Sequence, residues 1–191
     1  MGPVMKKRTI AIVFALVLAG AGQAALGAGV SVTLRAGYFF PSSSLFREVY
    51  KSGPIFGGEL TVPLTGALRF WAGADLFGKT GLLQVTEETT KVRIIPVYAG
   101  LRAEFGKKGA RPYIGAAAAY FLFHEENPLG TISDTGLGLL ARAGILARLG
   151  GAVWLDFFAD YRACTVRTGG DDPLEAKIGG LSAGAGLSFR F

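Results

Sequence analysis

The sequence runs to 191 residues, enough for one domain with a core or a small barrel, and carries a formal net charge of +6. Half of it is hydrophobic and the mean hydropathy is +0.40, which is high for a soluble protein, while the basic residues are too few and too dispersed for a nucleic-acid footprint. The single cysteine, Cys164, excludes an intramolecular disulfide and reads as a small residue packed in a strand.

At the N-terminus Lys6, Lys7 and Arg8 precede the apolar run IAIVFALVLAGAG, which leads into the small residues QAALGA. A positive n-region, an apolar h-region of about 7–15 residues and a small-residue cleavage zone describe a secretory signal peptide. It covers residues 1–28, with cleavage after Ala24 or Ala28. The run is short for a membrane anchor, and no cysteine lies near the junction to carry a lipid. Without the three basic residues of this segment, the mature domain 29–191 keeps a side-chain charge of +3.

Beyond residue 28 the apolar positions recur at every second residue, the period of a strand. In the first predicted strand Val30, Val32, Leu34, Ala36 and Tyr38 oppose Ser31, Thr33, Arg35 and Gly37. The second, residues 56–64, sets Phe56, Leu60, Val62 and Leu64 against Glu59 and Thr61. The third, 68–76, sets Leu68, Phe70, Ala72, Ala74 and Leu76 against Arg69, Trp71, Gly73 and Asp75. A fourth spans 92–105, with Val97, Ala99, Leu101, Ala103 and Phe105 opposite Tyr98, Gly100, Arg102 and Glu104; the stretch RIIP at its start predicts a bulge near Pro96. The fifth, PYIGAAAAYFLF, is apolar on both faces, so its sides stay open. Residues 137–149 resume the alternation with Arg142 and Arg148 on the polar face. Residues 153–163 oppose Trp154, Asp156, Asp160 and Arg162 to Val153, Leu155, Phe157, Ala159 and Tyr161. The last strand, 178–191, carries Leu181, Ala183, Ala185, Leu187, Phe189 and Phe191 against Ser182, Gly184, Gly186, Ser188 and Arg190, making eight strands.

The predicted connections alternate in length. Residues 65–67, 106–110 and 150–151 are short, whereas 41–54, 79–91, 124–135 and 165–177 are long. An even strand count, short turns at one end and long loops at the other describe an outer-membrane barrel. A soluble lipocalin-type barrel would also alternate, with its large apolar residues around a cavity. The export signal and a polar face of glycines and opposite charges favour the membrane form: all-β, an eight-stranded antiparallel up-and-down transmembrane β-barrel, with both termini periplasmic. A closed barrel in lipid needs its last strand paired to its first, because an open edge leaves backbone groups unsatisfied at several kcal/mol each. The apolar stripe that runs to the final residue meets that need.

The segments RAGYFFP, FGGELTVPL, RPYIGAAAAYF and LSAGAGLSFRF give the chain beyond its signal peptide a pattern that resembles the small eight-stranded outer-membrane barrels, the group that includes the transmembrane part of outer-membrane protein A. The resemblance implies a C-terminal assembly signal, here Gly186, Leu187, Phe189 and Phe191, that is read by the barrel-assembly machinery, with periplasmic chaperones as partners during biogenesis. It implies outer-membrane lipid and lipopolysaccharide as surroundings, and the chain is expected to stop at its last strand with no peptidoglycan-binding domain after it.

Three constellations carry chemistry. Arg35, Glu59, Arg69, Asp75, Arg102, Glu104, Arg142, Arg148, Asp156, Asp160, Arg162 and Arg190 fall on the inward face. Inside a narrow barrel such charges must pair, so a ladder of Arg–carboxylate hydrogen bonds that plugs the lumen is expected. The only histidine, His124, stands in FHEEN. Small barrels that deacylate lipid A use His, Ser and a carboxylate, but here Glu126 occupies the position two residues on where a serine would sit, so a solvated loop residue is the simpler reading. The first long loop mixes Phe46, Arg47, Tyr50 and Lys51, suited to lipopolysaccharide head groups, and the last clusters Asp171, Asp172 and Glu175, an oxygen-ligand set that matches no defined metal loop. The expectation is therefore a structural or surface-interaction protein without cofactor, metal or catalytic residue, its long loops open to an extracellular ligand. A narrow passive channel is the alternative, and a lipid-modifying enzyme a remote one.

Overall fold

The computed structural model describes residues 29–82, 89–106, 109–128, 130–168 and 174–191, with side chains described for all of these except 82, 166–168 and 174–177. The predicted signal peptide, Asp171 and Asp172 lie outside the described residues, as does the side chain of Glu175.

Alternation at period two becomes strand after strand: β1 (Ser31–Pro41), β2 (Gly53–Thr65), β3 (Leu68–Leu82), β4 (Thr89–Glu104), β5 (Ala110–Asn127), β6 (Gly130–Gly150), β7 (Val153–Thr168), β8 (Leu174–Lys177) and β9 (Gly180–Arg190), with one short helix among the described residues, α1 (Ser44–Tyr50). Each barrel strand pairs antiparallel with its sequence neighbour, and β9 closes the ring between β7 and β1. Eight strands therefore form the closed barrel, while β8 pairs, among the described residues, with residues 165–168 of β7. Closure is complete to the last residue: the Phe191 N–H donates to the Val30 carbonyl at 2.8 Å, and the Gly29 N–H to the Phe191 carbonyl. No edge is left where β1 and β9 meet, which is what a barrel wall in lipid requires.

The three short connections lie at one end. Gly66 (φ 52°) and Gly151 (φ 50°) turn in the left-handed region, where a side chain would add strain. At the opposite end the structure corrects the predicted loops. β5 continues to Asn127 and β6 begins at Gly130, so the expected loop 124–135 is a tight hairpin, and β3, β4 and β7 likewise run past their predicted ends. Antiparallel pairing satisfies the backbone of these polar segments as well as it does that of the apolar ones. The loss of an apolar stripe marks where burial changes, not where the ladder stops.

The predicted bulge near Pro96 is also corrected. The β3 ladder lapses opposite Pro96, which has no N–H to donate, and resumes in the same register on both sides, Ala74 with Val97 and Phe77 with Ile94. The β4–β5 register is unbroken from Lys91 to Glu104. The phase of RIIP breaks only in polarity, because Val92, Ile94 and Pro96 all point inward.

Candidate functional site

The barrel is polar inside and apolar outside. Outward Leu34, Phe56, Leu101, Ile114, Leu139 and Leu187 are 44–67% exposed, whereas inward Arg35, Glu59, Arg102, Arg142, Asp160 and Arg162 are 1–5% exposed. Strand alternation does this directly, since each inward Arg or carboxylate is flanked by residues on the other face. The sides of β5, open in the sequence, are fixed by it: Tyr113, Gly115, Ala117, Ala119, Phe121 and Phe123 face in.

Glu59 from β2 is the hub of the interior. Its Oε1 accepts from Arg102 Nη1 and its Oε2 from Arg142 Nη1, both at 2.6 Å, and Arg35 lies at 3.5 Å. Arg142 also donates to Asp160 at 2.7 Å, and Arg162 spans Asp160 and Asp75 at 3.1 and 2.7 Å. Arg35 donates to Asp75 at 2.9 Å and to the Tyr98 hydroxyl. Aromatic faces complete the packing: the Arg142 guanidinium lies 4.7 Å from the Trp71 ring centre and that of Arg102 4.8 Å from Tyr113. Asp156 accepts instead from the Tyr113 hydroxyl at 2.8 Å. Every strand of the wall except β6's neighbour β5 and the closing β9 contributes a charge to this layer, and β5 contributes Tyr113.

Towards the turn end, Glu104 receives Arg102 at 2.7 Å and Arg190 at 2.6 Å, with Arg69 at 3.5 Å. Arg69 and Arg190 are thus rim partners of one carboxylate. Arg148 is corrected: it is exposed and donates to the Gly151 carbonyl at 3.2 Å, outside the interior network. The cause is local, since β6 shifts register between Arg148 and Gly150 as it enters the turn. Arg111, which the alternation did not single out, stacks over Trp154 at 5.0 Å. Of the C-terminal set, Leu187, Phe189 and Phe191 point outward, and Gly186 sits inside against Arg35, where a Cβ would come within 2.8 Å of its side chain.

Towards the loop end the interior turns apolar, a layer that the charge pattern did not announce. Phe39, Ile55, Phe77, Val92, Ile94, Phe121, Phe123, Leu140 and Ile178 are packed together there with Cys164. Helix α1 closes over them, capped by Ser43, whose hydroxyl accepts from the Phe46 N–H at 3.4 Å. Phe46 stacks on Tyr50 at 4.8 Å, and the Tyr50 hydroxyl meets Thr90 Oγ1 at 2.9 Å. Burial pushes the Tyr50 hydroxyl well above the ordinary tyrosine range, so it stays protonated and able to donate. Of the first-loop quartet, Phe46 and Tyr50 therefore face the barrel mouth, while Arg47 and Lys51 are exposed.

His124 lies in β5 rather than in a loop. The β5–β6 pairing brings Ser133 directly opposite it: His124 Nδ1 and Ser133 Oγ are 2.8 Å apart, and His124 Nε2 and Glu126 Oε1 3.3 Å. Ser133 is nine residues away, so local spacing could not show it; only the hairpin register does. The cluster is open to solvent, with the His124 and Glu126 side chains 40% and 57% exposed. Among the described residues no group of three or more His, Cys, Asp or Glu side chains could hold a metal ion.

The architecture has solved counterparts. Neisserial surface protein A superposes with a TM-score of 0.60 at 19% identity, over 85% of this chain and 97% of that one. The attachment invasion locus protein of Yersinia pestis, in complex with the heparin analogue sucrose octasulfate, gives 0.54 at 16% identity over 85% and 99%. A major outer membrane protein from Thermus thermophilus gives 0.52 at 15% identity over 86% and 100%. No family model and no curated protein matches the sequence. The fold is that of the small eight-stranded outer-membrane β-barrels.

Proposed function

We propose that this chain is an integral outer-membrane protein, a non-enzymatic barrel that serves the envelope or presents its loop end to an outside partner, with its lumen closed to solutes by its own side chains. The observation that carries the reading is the inversion of polarity, a buried Arg–carboxylate layer inside a wall whose outward residues are leucine, isoleucine and phenylalanine. In water that wall is an aggregation surface; in a bilayer it is solvated. Tyr38, Tyr120 and Tyr161 near the loop end and Phe70, Phe105, Phe189 and Phe191 near the turn end stand where aromatic girdles meet the two interfaces. The heparin analogue carried by the Yersinia protein supports a surface-interaction role for such a scaffold.

Closure of the lumen is supported by two stacked layers, the ionic one and the aromatic one beneath α1. The C-terminal stripe of Leu187, Phe189 and Phe191 supports recognition by assembly machinery, since it remains outward and legible as a strand. Heat-modifiable gel mobility of the membrane-extracted protein tests the barrel, and single-channel recording tests the closure. A mobility shift without conductance is expected; reproducible conductance steps would establish the narrow channel instead.

A second reading rests on one arrangement, His124 between the Ser133 hydroxyl and the Glu126 carboxylate. That is the order of a nucleophile, a base and its orienting acid, and it would act on an acyl ester at the outer wall. Fatty-acid release from radiolabelled lipid A by the wild type but not by Ser133→Ala would support it.

A further inference from the structure

The β3–β5 wall carries a cleft of about 250 Å³ whose lining includes Gly78, Thr80, Lys91, Arg93, His124 and Glu126. We propose that Lys91 and Arg93 in this cleft bind the phosphorylated head group of a lipid in the outer leaflet, with its acyl chains lying down the barrel wall beneath them. This rests on the membrane reading above and deepens it.

Register builds the site. Arg93 stands between Gly78 on β3 and His124 on β5, and Lys91 between Thr80 and Glu126. Gly78 leaves the floor open beside Arg93: the only atom near a Cβ added there would be the Val92 carbonyl oxygen, at 4.0 Å. Lys91 and Arg93 are exposed and have no ion-pair or hydrogen-bond partner among the described residues, unlike the interior arginines. The opposing charge, Glu126, is engaged by His124 Nε2 at 3.3 Å. Two unpartnered cations beside a histidine form a grip for a doubly charged oxyanion, with the guanidinium able to donate two parallel bonds.

What makes the ligand a lipid is the wall immediately below. The next outward positions towards the turn end are Leu76 on β3, Ile95 and Val97 on β4, and Leu122 and Tyr120 on β5. The cationic row therefore sits one step above the apolar belt, at the height where a head-group phosphate meets acyl chains. A free anion would use only the upper half of this surface.

The test is native mass spectrometry of the detergent-extracted full-length protein titrated with lipid A, with enzymatically dephosphorylated lipid A, and with inorganic phosphate. Wild type is expected to retain lipid A at least about tenfold better than the dephosphorylated form, in keeping with charge-assisted bonds to phosphate. Inorganic phosphate in excess should fail to displace it. Lys91→Gln with Arg93→Gln should abolish the preference, Glu126→Gln should strengthen it, and Arg148→Gln at the turn end should leave it unchanged. Equal retention of the two lipids, retention unaltered in the Lys91/Arg93 variant, or displacement by inorganic phosphate would each overturn the proposal. Heat-modifiable mobility is recorded for every sample: its loss in the variant alone calls for the Glu126→Gln result to decide, and its absence in the wild type overturns the membrane reading on which the proposal stands.

Discussion

Glu59 shows how one residue can hold a barrel interior together. Its two oxygens take hydrogen bonds from Arg102 and Arg142, and a third arginine, Arg35, leans on it from β1. Burying a charge is unfavourable unless it is paired, and removing one partner leaves the others without compensation. Glu59→Gln keeps the shape and deletes the charge, so it should lower unfolding stability by about 3–5 kcal/mol, measured by urea titration of the tryptophan fluorescence in micelles. Arg148→Gln is the matched control. That side chain is exposed and holds only a turn carbonyl, so its change should stay within about 0.5 kcal/mol; a loss equal to that of Glu59→Gln would place Arg148 back inside the network. Which arginines lie inside was legible from alternation along the strands, apart from Arg148, where the turn shifts the register, and Arg111, which the alternation did not single out. Which carboxylate each one meets was not, because Glu59 and Arg142 are 83 positions apart and are joined only through barrel closure. Ser133 escaped for a related reason, its place beside His124 being set by hairpin register.

At the scale of elements, stripes of outward apolar residues made seven of the barrel strands legible and a continuous apolar run the fifth, the pattern expected of a wall that faces lipid. The ends of the strands were not legible. Above the bilayer, threonine, lysine and glutamate satisfy a β-ladder as well as leucine does, and the periodicity of hydrophobicity fades while that of hydrogen bonding continues. Helix α1 was hidden too, as seven residues are too few for a helical period to show. Its seat depends on Gly81, where a Cβ would come within 2.4 Å of the Val49 carbonyl oxygen. Gly81→Val should therefore push α1 off the mouth and leave the barrel closed. Limited trypsin digestion should cut faster at Arg47 and Lys51 while the heat-modifiable gel shift persists; unchanged cleavage would show that α1 does not need the close approach. Closure makes a separate demand on β9. Removing residues 189–191 deletes the pairing of Phe189 with Val32 and Val153 and the terminal bonds to β1, and the heat-shifted form should disappear from membranes.

Taken whole, the molecule stacks an ionic layer beneath an aromatic one in a ring of eight strands, whose interior is just wide enough for side chains to fill. The two layers resist opening differently. The aromatic layer and α1 are held by apolar contact and a tyrosine–threonine bond at the solvent end, where local opening is easiest. The ionic layer is tied across the barrel by Glu59, Asp75 and Asp160, so no single side chain can swing aside without stranding another charge. Removing the lid alone should then leave the lumen closed. In planar bilayers neither the wild type nor Gly81→Val should show discrete steps, although the variant's loop is more open to protease. Steps in the variant alone would make α1 a gate and the ionic layer permeable, whereas steps in both would mean that the charges line a path for solutes rather than block one.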